Sequence, residues 1–293
     1  MQLGGALIGP ATNAECDEFL NAYKPSAADQ KYGPWYWVQF GKEEDGVKAE
    51  KPAEDLEEGD SNRVKLEKKG KVLVDDLVKQ CQHIKDTAPV RSNKAKKLRS
   101  QKELREEEYV KFNEEVAKIA KECGIITGKW LFYPTPESVD ILWSKIVKAL
   151  AVEDGVLAQT GAVHTAKVST TPGDSGSYVI CVYCDDSWDK ETVGKVFKTL
   201  VEDLNCVSSA YKIDAFTILG IDSKHPSGVG SSLYGKNDFM TREEIDESLS
   251  RASKAKAAKK NKTLEEEQAL DGEGFDPASE SEDEERPRKK ARN

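Results

Sequence analysis

Gly128-Lys129-Trp130-Leu131-Phe132-Tyr133 opens the stretch that decides the fold, which runs on to Tyr234. Its pattern predicts a strand over Trp130–Tyr133, a helix over Glu137–Leu150, strands over Ala162–Ser169 and Tyr178–Cys184, a helix over Lys190–Leu204 and a strand over Ala215–Ile221. That β-α-β-β-α-β order makes a compact antiparallel sheet with both helices on one face. The other face is then left to bind something. The first helix carries Val139, Leu142, Trp143, Ile146 and Leu150, and the second Val193, Val196, Phe197, Leu200, Val201 and Leu204. Both stripes suit helices lying on a sheet. Tyr178-Val179-Ile180-Cys181-Val182-Tyr183 is apolar on both faces, as in a central strand.

Working outward, Trp35-Tyr36-Trp37-Val38-Gln39-Phe40 follows Gly33-Pro34 and reads as a further strand. Before it, residues 1–29 hold a short helix, Ala14 to Tyr23, stopped by Pro25. After it, residues 42–60 carry nine acids and three lysines, a solvated loop within a charged insertion spanning 42–70. Val72–His83 spaces Val74, Leu77, Val78 and Cys81 as one helical face. A basic run follows at Arg91, Lys94, Lys96, Lys97, Arg99, Lys102 and Arg105, leading into a helix striped by Tyr109, Phe112, Val116, Ile119 and Cys123 and stopped by Gly124. The expected division is an extension over 1–29, one domain over 30–240 and a disordered charged tail over 241–293. Within that tail, Thr241–Lys262 suits an exposed helix.

The 293 residues are 38% apolar and 33% charged, enough for one core of moderate size with a polar excess set apart in insertion and tail. A net charge of −9 excludes a general nucleic-acid-coating protein, which would be basic throughout, but leaves room for a small basic pocket. No run approaches the roughly 18 apolar residues of a membrane helix, so no membrane contact is expected. The N-terminus, Met1-Gln2-Leu3-Gly4-Gly5-Ala6-Leu7, lacks the basic and apolar regions of a signal peptide. Six scattered cysteines read as reduced, buried thiols.

Three motifs give way to simpler readings. Cys181-Val182-Tyr183-Cys184 has zinc-site spacing, but it falls on a strand, where i and i+3 point to opposite faces, and no second pair exists. No metal or cofactor is expected. Gly173-Asp174-Ser175-Gly176 matches a serine-protease signature, yet it sits between two strands that should pair, where these residues make a turn. The histidines at 83, 164 and 225 lie on unrelated elements, and no catalytic constellation is legible, so the chain is read as non-enzymatic. His225-Pro226-Ser227-Gly228-Val229-Gly230-Ser231-Ser232 lacks the strand–loop–helix context of a phosphate loop and reads as a connection.

The aromatic residues hold more promise. Most of the five tryptophans belong in a core, but tryptophan is also a platform for stacking a base. Lys167 lies on a strand face with Val163 and Thr165, where it either meets a phosphate or reaches solvent. At the C-terminus Arg286, Arg288, Lys289, Lys290 and Arg292 form either a nuclear import signal or a solubilising end. Ser279 and Ser281, each followed by acids, are phosphorylation candidates for an acidophilic kinase.

Gly128-Lys129-Trp130-Leu131, Gly161-Ala162-Val163 with Ala166-Lys167-Val168-Ser169, Val179-Ile180-Cys181-Val182-Tyr183 with Asp185-Asp186, Tyr211-Lys212-Ile213-Asp214 and Leu219-Gly220-Ile221 resemble the Bles03 family (basophilic leukaemia expressed protein) over about residues 30–240. The family is similar in fold to translation initiation factor 4E, which implies an α+β domain: a curved antiparallel sheet with helices on one face. By that resemblance Trp35–Phe40 stands for the factor's first aromatic strand, and Lys167 for its phosphate-binding arginine. The loop Glu122-Cys123-Gly124-Ile125-Ile126-Thr127 carries no tryptophan where that factor has a Trp-Glu pair, and neither does residue 41–60 after the first strand. The resemblance implies RNA or a nucleotide-like ligand on the concave face, with Trp35, Trp37, Trp130, Lys167 and Lys212 as its residues. The alternative is a protein–protein adaptor that uses its helical face and charged tail. An open, basic, aromatic-lined cleft would favour the ligand, and a closed face the adaptor. Either function suits the nucleus or the cytoplasm.

Overall fold

The computed structural model describes residues 6–40, 61–93 and 95–254. The described residues up to 249 form one compact unit. In chain order it contains β1 (Leu7–Ile8), α1 (Asn13–Ala22), β2 (Trp35–Gln39), α2 (Ser61–Thr87), α3 (Gln101–Glu122), β3 (Gly128–Phe132), α4 (Val139–Ala151), β4 (Thr165–Ser169), β5 (Ile180–Cys184), α5 (Lys190–Glu202), β6 (Ala210–Ile213) and α6 (Asp214–Ile218). A last helix begins at residue 242, where tail had been expected, and Ile245 and Ser248 on it are buried.

The fold is α+β, with one mixed, open six-stranded sheet in the order β1-β2-β4-β5-β3-β6. The expected antiparallel pairing fails at one edge, where β1 runs parallel to β2. Parallel neighbours need a crossover connection, and α1 lies in it. Residues 6–29 are therefore part of the sheet and core rather than an appendage, with Cys16 and Phe19 of α1 buried. Thr12 and Glu15 start α1 with a reciprocal capping box, which satisfies two otherwise orphaned amides.

Alternation along the strands sends Tyr36, Val38, Trp130, Phe132, Ala166, Val168, Ile180, Val182, Tyr211 and Ile213 to one face. There they meet Trp143, Ile146 and Leu150 of α4 and Val193, Phe197 and Leu200 of α5 in a continuous core. Trp130 lies 4.7 Å from Phe197 and 5.7 Å from Phe239, ring to ring. Each large side chain so buried contributes about 1.5–3 kcal/mol, so this helix-covered face holds most of the stability.

Two elements depart from the sequence reading. The strand expected over Ala215–Ile221 is instead α6 and a turn at Gly220 (φ 70°), and the strand that pairs with β3 is Ala210–Ile213. Ala215 and Phe216 are both buried, Phe216 against α3 beyond the sheet, where a helix places them. Phe216 stacks on Phe112 of α3 at 6.3 Å. The helix expected over Val72–His83 runs from Ser61 to Thr87, so the second half of the charged insertion is helical. Its buried side is Leu66, Gly70, Leu77, Cys81 and Ile84, a stripe broken in sequence by a glycine and surrounded by lysines. Gly70 is there because the side chain of Leu219 fills the space a Cβ would take. Residues 42–60 lie outside the described residues. Gly173–Gly176 makes the turn between β4 and β5, with Gly176 at φ 77°.

Candidate functional site

The face of the sheet turned away from α4 and α5 carries three rows of side chains. Register aligns Trp37, Lys167, Cys181, Leu131 and Ala210 across β2, β4, β5, β3 and β6. A second row is Gln39, Thr165, Tyr183, Lys129 and Lys212, and a third begins with Trp35 beside Ser169. Each residue reaches this face by the two-residue period that sends its neighbours into the core.

Trp35, Trp37 and Lys167 come together. The Lys167 ammonium sits 4.5 Å from the Trp35 ring, 4.8 Å from Trp37 and 5.5 Å from Tyr183. At such distances each ring attracts the cation electrostatically. Lys167, Trp37 and Tyr183 are buried to 2–3% exposure, while Trp35 is half-buried at the rim. The indole N–H of Trp37, like that of Trp143 in the core, is buried and has no hydrogen-bond partner among the described residues. Leaving such a donor unmet costs about 1–3 kcal/mol, and most buried polar groups are met.

The other end of the face holds a polar cluster that sequence reasoning missed. Lys129 donates to Asp214 at 2.9 Å, with side chains only 5% and 0% exposed, and Asp214 also accepts from Thr127 Oγ1 at 2.5 Å. Lys129 lies 5.4 Å from the Tyr183 ring. Tyr183 thus stands between the two lysines, within 5.5 Å of each. Lys212 is half-buried beside Lys129, and burial, then the neighbouring ammonium, lower its pKa. Alternation from Trp130 would have found Lys129. Asp214 could not be found that way, because it sits at a strand-to-helix junction.

Two candidates fall away from this face or apart on it. Trp130 points into the helix-covered core with no exposure, so it cannot stack a ligand. Lys212 is on β6, four strands from β2, so it does not join Trp35 and Trp37. Cys181 lies on the face turned away from α4 and α5 and Cys184 in the core, so strand geometry prevents them from sharing an ion. Among the described residues, no group of three or more His, Cys, Asp or Glu is placed to hold a metal, and no helix is long and apolar enough to cross a membrane. Ser279, Ser281 and the basic end at Arg286, Arg288, Lys289, Lys290 and Arg292 lie outside the described residues.

The profile of the family described as basophilic leukemia-expressed protein Bles03 matches residues 9–220, most of the chain. The chain belongs to the Bles03 family. The match begins just after β1, takes in α1 and ends at the turn after α6, so in this Bles03 protein it embraces every strand of the sheet but the first. All residues of the sheet-face cluster lie inside it.

Opposite this face, α1 and α4 frame a cleft of about 420 Å³, lined by Asp17, Leu20, Lys24, Asp140, Ile141 and Lys145 among others. Ile141 is 65% exposed on its edge. Asp140 accepts from the backbone amide and hydroxyl of Ser26, which ties the segment after α1 to the start of α4.

Proposed function

We propose that this Bles03 protein is a non-enzymatic binding protein that takes a nucleotide-like ligand on the sheet face, beside Trp35, Trp37 and Lys167. The observation that carries the reading is the buried, unpartnered indole N–H of Trp37, next to an ammonium ringed by aromatic groups. Such a place suits a planar group with an acceptor, followed by negative charge. In this reading Trp35 stacks the ring, Trp37 donates to it, and Lys167 supplies charge. Kinship with translation initiation factor 4E is part of the proposal. It is supported by a six-stranded sheet with α4 and α5 on one face and by the tryptophan-bearing strand β2. Lys167, Trp37 and Tyr183 are nearly fully buried, so the face is closed in this structure, which counts toward the adaptor reading below; the ligand reading requires the face to open.

The test is tryptophan-fluorescence titration of the full chain with 7-methylated guanosine diphosphate, guanosine diphosphate and a short single-stranded RNA. Saturable quenching by a mononucleotide, weakened about tenfold in Trp37→Phe, is the expected result. Absence of quenching by all three refutes the sheet-face reading. A second reading, a protein–protein adaptor, draws on the α1–α4 cleft and exposed Ile141. Its partner would be a peptide bearing one apolar anchor between charges. Photo-crosslinking from position 141 that yields a discrete adduct, lost in Leu20→Asp, would support it; crosslinking unaltered by that change would refute it.

A further inference from the structure

The basic run at residues 91–105 does not cover the sheet. It forms the connection between α2 and α3, and every described residue from Arg91 to Arg99 is exposed. This connection is nonetheless built. Asn93 and Leu98 exchange backbone hydrogen bonds at 2.8 and 3.0 Å, and the Asn93 side chain accepts from the Lys96 amide at 3.1 Å. Lys97 holds a left-handed φ of 53°, a conformation uncommon for a lysine. At the base, the Gln101 side-chain amide donates twice, to the carbonyls of Lys85 and Ala88, each at 3.0 Å, and so caps the end of α2. Ser100 and Glu103 cap the start of α3. The result is a short, pinned hairpin with lysines at its apex.

Its charges divide into two sets. Arg99 pairs with Glu107, and Lys102 with Glu106. Among the described residues, no carboxylate pairs with Arg91, Lys96 or Lys97. A chain of net charge −9 thus keeps a fixed, protruding cluster of uncompensated cations. The exposed apolar residues, Val90 and Leu98, flank the base of the hairpin rather than its apex. A tip meant to enter a bilayer would carry them at the apex.

We infer that the α2–α3 hairpin is a contact site for the phosphate backbone of single-stranded RNA, read by Arg91, Lys96 and Lys97 without base specificity. The inference does not rest on the sheet-face reading, which mononucleotide quenching tests by itself. Three phosphate contacts give a slope of about −2 in log affinity against log salt. Affinity then falls about twentyfold between 50 and 200 mM KCl.

The experiment is fluorescence anisotropy of an end-labelled 12-nucleotide single-stranded RNA with the full chain, over 50–200 mM KCl. The triple charge reversal Arg91→Glu/Lys96→Glu/Lys97→Glu is compared with the conservative Lys96→Arg/Lys97→Arg. The wild type is expected to bind with that slope, the arginine variant to match it, and the charge reversal to lose binding at least twentyfold. The charge-reversed protein should quench with mononucleotide as the wild type does. Three results would overturn the inference: no RNA binding at 50 mM KCl, equal affinity and slope in the charge-reversed chain, or tighter hairpin-dependent binding to polyglutamate or to phosphatidylserine vesicles than to the RNA.

Discussion

Replacing Lys129 by methionine isolates the buried pair with Asp214. The ammonium and carboxylate are 2.9 Å apart, and the side chains are 5% and 0% exposed. Methionine keeps most of the lysine stem's bulk but removes the charge. Asp214 then keeps its hydrogen bond from Thr127 Oγ1 but loses its ammonium, at a side chain with no exposure. Breaking one side of a buried pair costs about 3–5 kcal/mol, because it strands the other charge. In a domain of this size that lowers Tm by about 6–20 °C, at about 2–4 °C per kcal/mol. Urea unfolding followed by tryptophan fluorescence gives the free energy directly. The double variant Lys129→Met/Asp214→Asn should regain at least about 1.5 kcal/mol relative to the sum of the single changes, since residues in one buried network couple by such amounts. A Lys129→Met protein within about 1 kcal/mol of wild type, or strictly additive single changes, would refute the reasoning. In that case Lys129 would be a solvated residue of the binding face and not a structural one.

Gly128→Ala should destabilise by about 1–3 kcal/mol through overpacking. Its Cβ would overlap Ser187 Oγ and come within 2.8 Å of Tyr211 OH, both buried and 3.1 Å from each other; an unchanged urea midpoint would contradict this. His164 holds a proton more firmly than usual because Asp185 accepts from its Nδ1 at 2.7 Å. The stabilisation is therefore full below the unfolded value of about 6.5 and lost as pH rises through the higher folded value. Thermal melts from pH 5.5 to 8.5 should show a small loss above pH 6.5, small because both side chains are 40–49% exposed, and Asp185→Asn should remove it. All six cysteines are buried and unpaired, and burial pushes the Cys181 and Cys184 thiols up. Ellman's reagent at pH 8 should find no fast thiol in the native chain and six in denaturant; a rapid native reaction would show that at least one of these buried sites opens.

Trp35–Gln39, Thr165–Ser169 and Ile180–Cys184 were legible because alternation and β-branched or aromatic content are local properties. So were α4 and α5, whose stripes keep the helical period without interruption. The start of α2 was not. A glycine occupies one place in its buried stripe, and its reason for being there is Leu219, far along the chain. The segment after Ile213 misled for the opposite reason. Its apolar content suits a strand, but burial of both Ala215 and Phe216 is decided by α2 and α3 packing against it.

The candidate site divides in the same way. The sequence, through its family resemblance, marked Trp35, Trp37, Trp130, Lys167 and Lys212 together as residues of a ligand face. It also marked the basic run and the polar rejection of zinc and protease motifs, since strand period and turn composition need no tertiary knowledge. Register between β2 and β4 decided that Lys167 stands among the rings, within 4.5–5.5 Å of three of them. Sheet order decided that Lys212 stays away from them, and the packing of α4 and α5 decided which face is the core into which Trp130 points. The Lys129–Asp214 pair joins residues 85 positions apart. A periodic pattern reports which way a side chain points along its own strand, whereas only the packed sheet determines which distant side chain it meets.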